Sequence, residues 1–184
     1  MDSFEQVVAE LLWIEGYWVR TSVKVDWTKD EKRSVGLPSA PRWELDIVAY
    51  KAGENLLRIV ECKSYLDSPG VALASLNGTD AKSAKRYKLF TNPDLRHVIF
   101  NRLALQFEAS GACLQNPTIK FALACGRIKS DSDRSGLHRH FEQNGWDLWD
   151  EPWLRDRLKT MAKGAYENQV SAVVAKLLLR ESAR

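Results

Sequence analysis

Two apolar, strand-like runs in this sequence carry charged side chains in their interior. WELDIVAY (43–50) holds Glu44 and Asp46; LLRIVECKSY (56–65) holds Glu61 and, two residues on, Lys63. Taking an ionised carboxylate out of water is costly unless it is paired or bound to a metal, so two such runs in close succession point to charges gathered in one place. Strand side chains alternate faces, which predicts Glu44 and Asp46 on one side of their strand and Glu61 and Lys63 on one side of theirs. Paired as a hairpin, the runs bring Asp46 and Glu61 to one surface. Two carboxylates with a backbone carbonyl and waters suit Mg²⁺, which favours octahedral oxygen coordination and few protein ligands. An ammonium at Lys63 would then bind an anionic phosphate or orient an attacking water.

The Glu-x-Lys triplet alone carries little information, because roughly one acid-x-Lys triplet is expected by chance in a chain of this length. Asp30-Glu31-Lys32 and Asp80-Ala81-Lys82 are two such decoys, one in a polar loop and one at a helix start. Glu61-Cys62-Lys63 differs in closing an apolar strand. Its residues also fit a plain salt bridge, Glu61 to Arg58 or to Lys63. Glu44 fits an extra outer ligand, a partner of Lys63, or an exposed residue paired to Arg42.

The elements that position these residues follow from the hydrophobic pattern. Residues 3–15 read as a helix, with Phe4, Val7, Val8, Leu11 and Leu12 at helical spacing, Ser3 and Gln6 as a capping box and Gly16 as the stop. YWVRTSVKV (17–25) alternates like a strand, and the polar stretch 26–42 reads as a loop. WELDIVAY and LLRIVECKSY form an antiparallel hairpin across KAGEN. Residues 64–92 read as loop with one or two short basic helices. Asn92 caps and Pro93 opens the next helix, whose Leu95, Ile99, Leu103 and Phe107 share a face. TIKFALACGRI (118–128) reads as a strand buried on both faces. A helix over 133–144, a short edge strand at WDLW and one or two helices over 152–181 complete the chain. This order predicts an α/β fold with a mixed central sheet of four to five strands flanked by helices, in a single domain over 1–184 with a core at 3–128 and a helical extension at 130–184.

At 184 residues, 45% of them hydrophobic, the chain is long enough for one sizeable core. No apolar run approaches the roughly 18 residues of a membrane span. The acidic opening MDSFEQVVAELLWIEG lacks the basic start and small-residue cleavage site of a signal peptide, so a cytoplasmic protein is expected. Cys62, Cys113 and Cys125 form an odd, widely spaced set that suggests neither a disulfide framework nor a zinc site. The net charge of +3 permits nucleic-acid binding without demanding it. Basic residues do cluster, at Lys82, Lys85, Arg86 and Lys88 and again from Arg127 to Arg139, where a solvated surface is the plain alternative. His138 and His140, two apart on a helix, face different ways. Trp146, Trp149 and Trp153 read as an aromatic cluster, by spacing a matter of packing rather than of base stacking.

An acid in the opening helix, a strand, an Asp in the second strand, Glu-x-Lys in the third, then a helix and a buried strand: this succession resembles the PD-(D/E)XK nuclease superfamily. FEQVVAELLWIEGYWV is most similar to archaeal Holliday-junction resolvases and Mrr-type restriction endonucleases, in which a Glu-bearing helix leads into a Gly-aromatic pair. The resemblance spans roughly residues 3–128 and implies a restriction-endonuclease-like core (α-β-β-β-α-β). It further implies a Mg²⁺-dependent DNA endonuclease, with Mn²⁺ able to substitute. Asp46 and Glu61 would be metal ligands, joined by the backbone carbonyl of Cys62, and Lys63 would position or activate the nucleophile. Glu5 matches the helix glutamate, although Asp2 and Glu5 also fit a capping box; Glu10 is expected to be solvated. Where the family name has Pro-Asp, this chain has Leu45-Asp46. The loop 27–42 and Lys82, Lys85, Arg86 and Lys88 would follow the DNA backbone. A homodimer, or a partner protein, is in keeping with such relatives. A non-catalytic nucleic-acid-binding or assembly module on the same fold is the alternative, and a structural ion-pair network a third reading.

Overall fold

The computed structural model describes residues 2–165 and 167–179. Helix α1 (Ser3–Ile14) leads through Gly16, whose φ of +85° turns the chain, into strand β1 (Trp18–Val25). Helix α2 (Lys29–Ser34) precedes β2 (Trp43–Lys51); a 3₁₀ turn at Ala52–Glu54 leads to β3 (Leu56–Lys63). Three four-residue helices follow, α3 (Leu73–Leu76), α4 (Ala81–Ala84) and α5 (Lys88–Thr91), then the long α6 (Pro93–Ala109). The remaining described elements are β4 (Thr118–Cys125), α7 (Asp131–Asn144), β5 (Asp147–Trp149), α8 (Glu151–Lys163) and α9 (Val170–Leu179). The predicted terminal helical stretch runs to 181, and residues 180–181 lie outside the described residues.

Among the described residues the strands form one five-stranded sheet in the order β1-β2-β3-β4-β5, the mixed α/β architecture expected. β1–β2 and β2–β3 are antiparallel, whereas β3–β4 and β4–β5 are parallel, with helices supplying the crossovers. One face of the sheet packs on α6 and α7 through Leu95, Ile99, Leu103, Phe107, Leu137 and Phe141. The other packs on α1, α8 and α9 through Val8, Leu11, Leu12, Leu154 and Met161. β4 is buried on both faces, with Phe121 and Leu123 towards α6 and Ala122 and Ala124 towards α1. Among the described residues no helix is long and apolar enough to cross a membrane.

Four local expectations are corrected. The α1 cap is Asp2 rather than Ser3: Asp2 accepts the Glu5 N–H at 2.8 Å and Glu5 returns the bond at 3.2 Å. The stretch 26–42 holds α2, whose six residues are all polar and so lack an apolar period. Its signal is the capping box Thr28-x-x-Glu31, and Arg102 of α6 clamps Glu31 at 2.6 Å. The tryptophans do not form one cluster. Trp149 and Trp153 stack at 4.6 Å, whereas Trp146 sits among Phe90, Phe121 and Phe141 in the α6-side core. Finally, β2 does not alternate evenly: Leu45 and Val48 both join the α6-side core, and Ile47 joins the opposite one. Opposite this switch in β1 stands Ser22 at φ +52°, and the pairs Thr21↔Ile47 and Val23↔Leu45 flank it in unchanged register. The strand reverses its faces across Asp46.

Candidate active site

The β2–β3 ladder runs from Lys51↔Leu56 to Ile47↔Val60. Just beyond it Asp46 takes over the role of a main-chain acceptor, its Oδ2 accepting the Cys62 N–H at 2.7 Å. The carboxylate is thereby fixed against the residue between Glu61 and Lys63. β3 alternates without interruption: Leu57 and Ile59 face α6, Cys62 faces α1, and Glu61 and Lys63 follow the α6 side. Lys63 Nζ donates to Glu61 Oε1 at 2.6 Å and to the Cys62 carbonyl at 3.1 Å. The side chains of Lys63 and Glu61 are 20% and 18% exposed, so the pair is half-buried yet reachable from solvent. Arg58, the other predicted partner of Glu61, turns instead to Asp147.

Glu5 approaches from α1. Burial, then the charges of Asp46 and Asp2, hold its carboxyl above the ordinary value of 4.5. Glu61 is also raised, by burial first and by Asp46 and Glu5, against the opposing pull of Lys63. Burial works against the Lys63 ammonium, but Glu61 and Asp46 outweigh it and raise its pKa, so the amine stays charged. Asp46 and Glu61 both bear on the Lys63 ammonium, and Glu5 adds its charge to theirs; this excess of negative charge favours a further cation. The donor set fits Mg²⁺ on its chemistry: all candidate ligands are hard oxygens, and an ammonium already rests on two of them, Glu61 Oε1 and the Cys62 carbonyl. Among the described residues no three His, Cys, Asp or Glu side chains gather as a metal-ligand group. An ion here would rest on Asp46, Glu61 and the Cys62 carbonyl, with waters completing its shell.

Glu61 also lines a cleft of about 180 Å³ whose walls include Trp43, Lys85, Arg86, Tyr87 and Lys88. Three of the four predicted basic residues therefore share a cleft with Glu61; Lys82 lies outside this wall, exposed on α4. Trp43 and Tyr87 carried no signal in the sequence, because each becomes a cleft residue only through the fold of α5 against the sheet. Glu44 is exposed, as one reading had it, and stands opposite Lys24 in the β1–β2 register, while its two predicted partners are paired elsewhere, Lys63 with Glu61 and Arg42 with Asp26 at 3.5 Å. Glu10, expected to be solvated, is buried: its carboxylate accepts from Gln6 at 2.8 Å and from the Ser171 N–H at 2.9 Å. His138 meets Asp150 at 3.3 Å, and His140 lies against Trp146. No protein-family model matches the chain, and no curated protein matches its sequence.

Proposed function

We propose that this protein is a Mg²⁺-dependent DNA endonuclease of the PD-(D/E)XK type, hydrolysing phosphodiester bonds at the cluster of Asp46, Glu61 and Lys63. The observation that carries this reading is the meeting of opposites at one cleft. Asp46 and Glu61 flank Lys63, Glu5 adds to their mutual repulsion, and Lys85, Arg86 and Lys88 line the space beside Glu61. Carboxylates in that number repel a polyanion unless a cation intervenes; the basic wall attracts one. A divalent ion bound at Asp46, Glu61 and the Cys62 carbonyl would polarise a phosphoryl oxygen and lower the pKa of a coordinated water. Asp46 is held ready by the Cys62 N–H, Glu5 adds negative charge behind it, and the Lys63 ammonium balances the charge that develops on the phosphate. Mn²⁺ would substitute for Mg²⁺. A cytoplasmic setting and a homodimer belong to the same proposal, the latter read by sedimentation velocity of the full chain.

The test is nicking of supercoiled plasmid with Mg²⁺ by wild type, Asp46→Ala and Lys63→Ala. Cleavage by wild type alone supports the reading; equal cleavage by all three points to a contaminant and removes it. A second reading, a non-catalytic nucleic-acid-binding module, is favoured by one contact, the Lys63 ammonium satisfied by Glu61 and the Cys62 carbonyl. That module would shift DNA mobility with EDTA present and release no product.

A further inference from the structure

Two residues past Lys63, Tyr65 adopts φ +42°, a left-handed conformation that bulky side chains rarely occupy. The segment around it is clamped to the end of β4. The Gly126 N–H donates to the Lys63 carbonyl at 3.0 Å, and a Cβ on Gly126 would lie 2.1 Å from the Ser64 carbonyl oxygen. Further on, the Val71 N–H donates to Arg127 and the Lys129 N–H to Val71, each at 2.9 Å. Strain of this kind persists where the surroundings over-determine it, and it concentrates at functional sites. Glycine or asparagine would sit at this position with less strain; a tyrosine there brings something else, its hydroxyl.

The half-buried Tyr65 ring packs against the α6-side core, and its hydroxyl meets that of Tyr87 at 3.3 Å. Tyr87 is 3% exposed and borders the same cleft as Glu61. A phenol buried to that degree needs a hydrogen-bond partner, and Tyr65 oxygen accepts its proton. The Tyr65 proton is then directed away from Tyr87.

Resting on the nuclease reading above, we infer that the Tyr65 hydroxyl donates a hydrogen bond to the phosphate held beside Lys63, and that Tyr87 is the positioning residue that orients it. The experiment compares wild type, Asp46→Ala, Tyr65→Phe and Tyr87→Phe in Mg²⁺-dependent plasmid nicking, with kcat, KM and thermal midpoint measured for each. Removing a hydrogen bond to a charged group predicts a fall in kcat of roughly tenfold or more for Tyr65→Phe, assayed well below its midpoint, with KM unchanged; the midpoint itself falls, because buried Tyr87 loses its acceptor. Tyr87→Phe falls in the same direction by less. Wild-type rates in Tyr65→Phe, with Asp46→Ala inactive, overturn this inference and leave the nuclease reading standing. A loss of rate that disappears when both variants are assayed well below their lowered midpoints assigns the pair to packing alone and overturns it as well. A wild type that cuts with neither Mg²⁺ nor Mn²⁺ removes both proposals.

Discussion

Asp46 closes the gap where the β2–β3 ladder stops, and its charge presses on Glu5 and Glu61. An asparagine keeps an acceptor for the Cys62 N–H while removing the repulsion. Asp46→Asn is therefore expected to raise the thermal midpoint by about 2 °C at neutral pH and to abolish Mg²⁺-dependent nicking. A purely structural ion-pair network predicts a lower midpoint instead, so differential scanning calorimetry separates the two. Glu5 yields a pH signature. Its raised carboxyl binds a proton more tightly in the folded state, so its favourable contribution is complete below the ordinary 4.5 and is lost as pH climbs through the folded value. Glu5→Gln should accordingly match wild type near pH 4 and exceed it in midpoint at pH 7; a constant difference would discard this account. Asp46, Glu61 and Lys63 were legible in the sequence because charge inside an apolar run is rare. The face reversal at Asp46 was not, since nothing about Ser22 announces a positive φ. Nor was the burial of Glu10, whose partner Ser171 lies 161 residues away.

Elements are tied together by a few polar contacts set in apolar interfaces. Glu10 joins α1 to the first turn of α9, where a carboxylate also complements the helix dipole. Burial alone would raise its pKa; the hydrogen bonds from Gln6 and Ser171 reverse this and lower it. Its contribution is therefore present above 4.5 and lost as pH falls through the folded value. Glu10→Ala leaves the Ser171 N–H unmatched and should cost about 2 kcal/mol, with amide exchange accelerating in α9 before the sheet. On the neighbouring side Arg58 and Arg157 bracket the Trp149–Trp153 stack, at 5.4 Å and 4.9 Å from the ring centroids. Both outer faces are taken, which makes the stack a fastening of α8 to the sheet rather than a platform for bases. Gly126→Ala would drive a methyl into the Ser64 carbonyl; a loss of about 3 kcal/mol in urea unfolding is expected. The long helices and strands were readable from periodicity. α2 was not, and of α3–α5 only one or two short basic helices and the start at Asp80 were expected, because four to six residues span too few turns to show a period.

Across the whole molecule, strand order follows chain order, and the C-terminal third supplies both an edge strand and the α8–α9 cover of one sheet face. The mixed sheet was visible from the run of elements; which basic residues would border the acids was not, since three short helices decide it. If Lys85, Arg86 and Lys88 contact phosphates, DNA affinity measured by fluorescence anisotropy should fall steeply with salt. Each alanine substitution should then lower the log–log slope by about 1, while Lys82→Ala has a smaller effect. A flat salt response would separate the cleft from DNA altogether. One consequence follows from the Lys63 contacts. The chain brings its own positive group to the oxygens where an ion would go, and so it can reach its native shape in magnesium-free surroundings. EDTA should then leave the melting curve where it was, and an apoprotein should keep on the shelf, waiting only for the salt that arms it.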